Sequence, residues 1–473
     1  MPVLVMTVRG DGGGMVESGN IARILRSPSF KFVLIGILVF AISVLLALVW
    51  VLLSERQSRA SAVQDEIAKD WGRGQRILGP YLIVPYTAKA RIIDAGKQIE
   101  VEKERLAIFL PDTLNVSADA NTEIRKRSIY DVTVYRSNIL MEGHFPVVNI
   151  GLVDSNAVAA RWQDAILALG ISDVSGLKNN VELETDGGKT IAFEPSIGIE
   201  ATHHYPGIHA RLMPGGEQAG NQDPLRTRAR TSYKINLVLN GSSNLRFAPT
   251  GRDTAVSINS DWPHPSFTGF LPISRSIANS GFTAAWRVPH LARSVPQSWS
   301  ESSNNMTLDR FTADIGVNLF VPVDFYSLVE RALKYGFMFI AAVFGGVFVM
   351  ELLSKRRVHP IQYIFVGLGM IIFNVLLLSL SEHIGFALAY FSASAATSVM
   401  ISIYVGKAFH SPYRGFIMLG IFAILYGLLY FILQLEDYAL LAGALAAFVL
   451  LTATMFATLR VNWSGDEPQL SSS

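Results

Sequence analysis

The chain has 473 residues, 50% of them hydrophobic, a mean hydropathy of +0.34 and a formal charge of +2. That hydropathy is too high for an ordinary soluble domain, and the near-neutral charge gives no electrostatic reason to expect nucleic acid. Cysteine is absent, which excludes disulfides, thiol nucleophiles and cysteine-held zinc or iron–sulfur centres, so an exported domain must hold together by burial.

In chain order, the first 20 residues, with Gly10 and Gly12 to Gly14 among them, read as a flexible tail. Phe32 to Leu53 follows as an uncharged apolar run close to the roughly 20 residues a helix needs to cross hydrocarbon. Ala60-Ser61-Ala62 resembles a small-residue cleavage signal. The apolar run before it exceeds a signal h-region and stops short of it, which predicts an uncleaved signal anchor.

Residues 54–334 are polar by comparison, and 81–290 carry repeated period-two patterns, the mark of strands with one buried face. Tyr233, Ile235, Leu237 and Leu239 alternate with polar residues up to Asn240-Gly241, after which Leu245 and Phe247 predict the second arm of a hairpin. Ile99 with Val101, Leu114 with Val116, and Tyr130, Val132 and Val134 predict further strands. Asn156 to Leu169 instead places Val158, Trp162, Ala165, Ile166 and Leu169 on one helical face, with Asp154 or Ser155 to cap it and Gly170 to end it. Pro214 to Arg228 reads as a loop. Tyr326 to Lys334, with Glu330 and Lys334 spaced as an i,i+4 pair, predicts a helix running into the second apolar stretch.

Five more apolar stretches end the chain: Tyr335–Leu353, Ile361–Leu380, Gly385–Val405, Gly415–Leu433 and Ala439–Leu459. Only helices satisfy backbone polar groups in such spans. Arg23, Arg26 and Lys31, then Lys355, Arg356 and Arg357, then Lys407 and Arg414, then Arg460 fall on one side if six helices alternate, which marks that side as cytoplasmic. Arg56 and Arg59 run against the rule. The expected fold is a polytopic α-helical membrane protein with six transmembrane helices and a large, mainly β periplasmic domain inserted between helices one and two. The expected division is a cytoplasmic tail at 1–31, a signal-anchor helix at 32–53, the periplasmic domain at 54–334, a five-helix bundle at 335–459 and a cytoplasmic tail at 460–473.

Chemistry is sparser. His203, His204 and His209, with Glu200 nearby, form a histidine cluster whose spacing is a weak metal signal: adjacent strand residues face opposite ways, while a turn at Pro206-Gly207 leaves a loop ligand set open against the plainer reading of a surface tyrosine-histidine loop. No metal site, cofactor or catalytic residue is assigned. Asp261-Trp262-Pro263-His264-Pro265-Ser266-Phe267-Thr268-Gly269 fixes its backbone with two prolines and offers large aromatic surfaces. Trp262, His264, Phe267 and Trp286 are therefore the candidate partner-binding residues, against the plainer reading of a rigid turn packed over the sheet. Arg125-Lys126-Arg127 offers a contact for anionic headgroups or another envelope protein, or simply a solvated face. The spans are poor in ionisable groups, with Asn374 the main deep polar residue and Glu351, Glu382 and His383 near span ends, which argues against a proton-coupled transporter. Ser392 to Ser398 with Ser402 gives span four a small-residue surface suited to close packing or to a lipid groove.

Taken together, several motifs resemble the CreD family of bacterial inner-membrane, cell envelope integrity proteins. They are Gly79-Pro80 with Tyr81 to Tyr86, Arg127 to Tyr135, Trp262-Pro263-His264-Pro265-Ser266-Phe267 with Gly269, Phe320 to Tyr326, Glu330-Arg331-Ala332 and Lys334-Tyr335. The resemblance covers nearly all of residues 23–459, and the extension before Ile21 departs from it. It implies residence in a Gram-negative inner membrane, control by a sensor kinase and response regulator, and a part in envelope stress linked to tolerance of β-lactams and colicins. It supplies no catalytic residues. The expected function is non-enzymatic support of envelope integrity, with membrane lipids and an envelope protein or peptidoglycan precursor as partners. A lipid or small-molecule transporter is the alternative, and an envelope hydrolase the third reading.

Overall fold

The computed structural model describes residues 28–94, 97–127, 129–186, 188–198, 206–212, 230–300, 314–319, 325–354, 358–435 and 438–458. It divides into two compact units, Ala60–Pro322 and Met1–Arg59 with Val323–Ser473.

The second of these units is helical. Helix α1 is Pro28–Trp71, of which residues 60–71 belong to the other unit; α2 is Phe325–Ser354, α3 Pro360–Ile384, α4 Phe386–Ala408, α5 Pro412–Gln434 and α6 Ala439–Thr458. Five are long and apolar enough to cross a membrane, α1 to α5; α6 is apolar over the shorter stretch Leu441–Phe456. The chain is thus polytopic, with five such spans among the described residues where the sequence predicts six. In α1, Ile35, Val39, Ile42, Leu46, Val49 and Leu53 are buried, while Val33, Ile37, Phe40, Val44, Leu48 and Val51 are exposed. The buried set repeats at alternating steps of four and three, the seam of a packed helix. The exposed set is just as apolar, as expected where lipid replaces water. Two glycines let the seam approach. A Cβ on Gly336 of α2 would lie 2.6 Å from Leu46, and one on Gly367 of α3 would lie 2.8 Å from Ile42. Helix α2 starts at Phe325 and runs unbroken through the second span, with Glu330 and Lys334 paired at 2.8 Å as predicted.

The β unit holds two sheets. The ten-stranded sheet runs from edge strand Pro265–Gly269 through Ile315–Leu319, Asn244–Phe247, Gln75–Asp94, Ile166–Ile171 and Gly207–Arg211 to Glu194–Pro195; Lys97–Phe109 and Ala157–Ala160 also pair with Gln75–Asp94, and Ser298–Ser300 pairs with Lys97–Phe109. The eight-stranded sheet runs from edge strand Ser274–Ala278 through Gly281–Pro289, Asp253–Ser260, Thr113–Arg127, Tyr130–Phe145, Thr231–Ser242 and Glu182–Thr185 to Lys189–Ala192. One core is shared by both sheets, from Val84, Leu167 and Phe247 on one to Val116, Ile139, Leu237 and Trp286 on the other. A second cluster, including Tyr81, Ile83, Ile166, Ala168 and Trp299, covers the opposite face of the ten-stranded sheet.

That double burial accounts for the helix expected over Asn156 to Leu169. The residues form strands Ala157–Ala160 and Ile166–Ile171, and every residue of the second is buried. With both faces covered, alternation disappears and the apolar run mimics a helical stripe. Asp154 caps no long helix, and Gly170 sits in the ladder opposite Leu78 and Gly207. The hairpin expected at Asn240-Gly241 is also replaced. Thr231–Ser242 stays in one sheet, while Asn244–Phe247 enters the other and pairs in parallel with Gln75–Ile77. The crossing is made at Ser243, whose φ of 63° is left-handed. Gly241 is needed for clearance, since a Cβ there would lie 2.3 Å from the Tyr135 hydroxyl. Strands containing Ile99 and Val101, Leu114 and Val116, and Tyr130 to Val134 form as expected.

Candidate functional site

The aromatic segment crosses between the two sheets at one end of the sandwich. Strand Asp253–Ser260 lies inside the eight-stranded sheet, Pro265–Gly269 is the edge of the ten-stranded sheet, and Ser274–Ala278 is the edge of the eight-stranded sheet. Asp261 anchors the exit: its Oδ1 accepts from the Thr122 backbone N–H at 2.8 Å and hydroxyl at 2.7 Å. Gly269 closes the first edge strand with φ of 75°, and a Cβ there would meet the Asp314 carbonyl at 1.7 Å, so only glycine fits.

Three of the four predicted residues are packing groups. Trp262 is buried; its backbone N–H donates to Ser260 Oγ at 3.3 Å and its indole N–H to the His264 carbonyl at 3.2 Å. Trp286, 1% exposed, donates its indole N–H to the Phe270 carbonyl at 2.8 Å. Half-buried Phe267 meets Phe282 and Trp286 edge-on, with centroids 5.8 and 5.7 Å away. Each contact satisfies the polar end of a large ring and fixes its geometry. His264 is exposed and meets Trp262 through its carbonyl. The Trp286 bond fixes Phe270, and beyond it three aliphatic side chains are exposed: Leu271 (79%), which the sequence places with the aromatic segment, and Ile273 (70%) and Ile277 (50%), which it does not single out. All of Ser274–Ala278 is exposed, and it is the last strand of its sheet among the described residues. An exposed apolar edge strand is a surface that can add another strand. The sequence signal was Ile273 and Ile277 flanking Arg275 at even spacing in a stretch with no buried partner face.

Elsewhere in the β unit the candidates are structural. His209 is buried, its Nδ1 is 2.8 Å from the Ser196 carbonyl and its Nε2 is 3.5 Å from Glu194. Glu200, His203 and His204 lie outside the described residues, as does Pro214 to Arg228. Among the described residues no group of three or more His, Asp or Glu side chains is arranged to hold a metal. Arg125-Lys126-Arg127 is engaged with protein: Arg125 stacks 3.7 Å above the Trp71 ring, Lys126 lies 3.6 Å from Asp131, and Arg127 pairs with Glu66 at 2.8 Å. Asp154 gathers Arg105 at 2.7 Å, the Tyr86 hydroxyl at 2.9 Å and the Asn156 N–H at 2.9 Å. Burial opposes its charge, but these three donors more than offset that and hold the carboxyl below its ordinary value.

In the helical unit two buried carboxylates tie α1 to the other helices. Glu351 on α2 accepts from Lys31, from the Val358 N–H at 2.9 Å and from the Tyr363 hydroxyl at 2.9 Å. Glu382 on α3 lies 3.6 Å from Arg56 and 3.3 Å from the Tyr326 hydroxyl. Lys31 and Arg56 stand 25 residues apart on one helix, about 37 Å of rise, which puts one tie at each edge of a bilayer. Arg56, an exception to the charge rule, thereby has a carboxylate beside it. Asn374 is buried with its amide N–H bonded to the Met370 carbonyl at 3.0 Å.

The family model for inner membrane protein CreD matches residues 27–464. The chain is similar to inner membrane protein CreD of Escherichia coli strain K12, with 30% identity over 443 residues covering 93% of this chain and 94% of that protein. Among solved structures, an M1 zinc metallopeptidase from Deinococcus radiodurans aligns over 44% of this chain and 42% of its own with 8% identity and a TM-score of 0.19, a likeness too slight to carry any argument.

Proposed function

The chain belongs to the CreD family of inner-membrane proteins, and from that premise we propose that it supports envelope integrity under stress by holding an envelope protein or lipid-linked component against its β unit. In this reading α6 is a sixth crossing, both termini are cytoplasmic and residues 54–334 are periplasmic. The membrane segment is a signal anchor at 32–53 plus a bundle at 335–459, with tails at 1–31 and 460–473. The role is one of binding, without a catalytic centre.

The observation that carries the proposal is the exposure of Leu271 and Ile273, just ahead of edge strand Ser274–Ala278, and of Ile277 within it. Exposed His264 and these three aliphatic side chains make the contact, while Trp262, Phe267 and Trp286 set its shape. Isolated surface leucines are ordinary, but three on one edge segment are a binding feature. The test is in-cell photocrosslinking from position 273 of the full-length protein, compared with the same label in a background carrying Leu271→Asp and Ile277→Asp. A discrete adduct that disappears in the double variant, with membrane insertion and protease resistance intact, supports the reading. An unchanged adduct pattern counts against it.

A further inference from the structure

Helices α4 and α5 meet closely at one end. A Cβ on Gly415 would lie 2.9 Å from the Ser402 carbonyl and 3.3 Å from the Gly406 Cα, so the backbones themselves touch there. On the outer side of that contact lies a cavity of about 640 Å³, walled by Val399, Ile403, Phe416 and Leu419. A second cavity of about 370 Å³ shares Val399 and Leu419 with it and continues past Ser398 and Ala395 to Phe391 and Tyr430. From Lys407 to Phe391 is 16 residues of α4, about 24 Å, longer than one leaflet's half of a hydrocarbon layer of about 30 Å. Two adjoining apolar cavities thus follow the seam on the exposed face of the pair, meeting at Val399 and Leu419.

Its mouth is chemically different. Lys407, His410 and Ser411 line it, and Arg414 lies on the next turn, its guanidinium 5.2 Å over the Phe409 ring. Neither Lys407 nor Arg414 has an ion-pair partner among the described residues. Helix α4 ends with the Ser411 N–H on the Gly406 carbonyl at 2.9 Å and the His410 N–H on the Lys407 carbonyl at 3.0 Å. This closure puts His410 in the left-handed region, φ 52°, where glycine is usual. Within the groove, Ser402 is 5% exposed and its hydroxyl has no hydrogen-bond partner among the described residues. An apolar trough of acyl-chain length with Lys407, which has no ion-pair partner among the described residues, at one end matches one ligand.

We propose that the α4–α5 groove binds a single anionic phospholipid, one acyl chain along Val399, Ile403 and Leu419 and the phosphate at Lys407, His410 and Ser411. This site is independent of the β unit and of its partner. It differs from ordinary lipid contact in choosing the headgroup.

The test uses the full-length protein in phosphatidylethanolamine vesicles containing phosphatidylglycerol as the minority lipid, with a trace of phosphatidylglycerol bearing a diazirine on one acyl chain. After irradiation, labelled peptides are mapped. Labelling concentrated on residues 399–419 is expected. It should fall about fivefold in Lys407→Gln, the size of one basic residue's attraction to an anionic headgroup. Ile403→Trp, which fills an exposed position in the groove and leaves the charges alone, should remove it while labelling elsewhere persists. A diazirine phosphatidylethanolamine should not reproduce the pattern. Equal labelling of all exposed helix faces, or equal labelling by both lipids, means bulk lipid only and overturns the proposal.

Discussion

In the β unit, burial follows the strand ladder. Phe282, Ala284, Trp286 and Val288 point inward while Thr283 and Arg287 point out, and water enforces the difference. In the helical unit no such rule operates, because both faces of α1 are apolar and only one is buried. The first unit is held by removing apolar surface from water. The second is held by close fits at glycines and by a few buried polar ties, because lipid offers apolar side chains no reason to leave it. The same substitution therefore has different consequences in the two.

The largest effect is expected where the β unit loses a ring. Trp286→Ala removes a fully buried indole, strands the Phe270 carbonyl and takes away one of the two edge-on partners of Phe267, at a cost of about 3–5 kcal/mol. Denaturant titration of the full-length protein in detergent should show the β unit unfolding early with membrane insertion unchanged. A loss below about 1 kcal/mol would mean that this end of the sandwich is not packed as described.

The matching change in the helical unit is Glu351→Ala, which leaves Lys31 and the Tyr363 hydroxyl without their shared acceptor. Breaking a buried pair from one side costs about 3–5 kcal/mol, with Lys31, 23% exposed, favouring the lower end. Thermal unfolding of the detergent-solubilised protein should report it. Glu382→Ala should cost less, because the Arg56 side chain is 43% exposed and 3.6 Å away and can turn to solvent. Equal losses from the two would break the contrast drawn between a closed tie and an open one.

How much could be read in advance follows the same divide. Strands with one wet face, such as Thr113–Arg127 and Tyr130–Phe145, were legible because buried and exposed residues alternate. Strand Ile166–Ile171 was not, since burial on both faces removes the alternation. The crossing after Gly241 was read as a turn because a glycine required for clearance and one required for a positive φ look identical in sequence. Spans α1 to α5 were plain from length, but which face of α1 is inward was not. At the candidate site, Trp262, Phe267 and Trp286 were found by composition and are mostly buried. Leu271 was legible beside the aromatic segment, whereas the even spacing of Ile273 and Ile277 gains its meaning only once Ser274–Ala278 is known to be an edge.

The smallest expected effect sharpens the comparison through pH. Asp154 has its carboxyl held below the usual range by Asn156, Tyr86 and Arg105 despite the opposing effect of burial, so its folded-state value lies under the unfolded value of about 3.9. A depressed carboxyl stabilises the fold above the unfolded value, and that contribution fades as pH falls through the folded one. The β unit should therefore lose this site's contribution as pH falls from about 3.9 through the lower folded-state value. Asp173, Asp186 and Asp253 are also held low by their donors and shift in the same direction. Asp154→Asn should thus lower stability at neutral pH and flatten, without abolishing, the acid limb of the denaturation curve. An acid limb of unchanged slope in that variant would assign the acid sensitivity to the other three carboxylates alone.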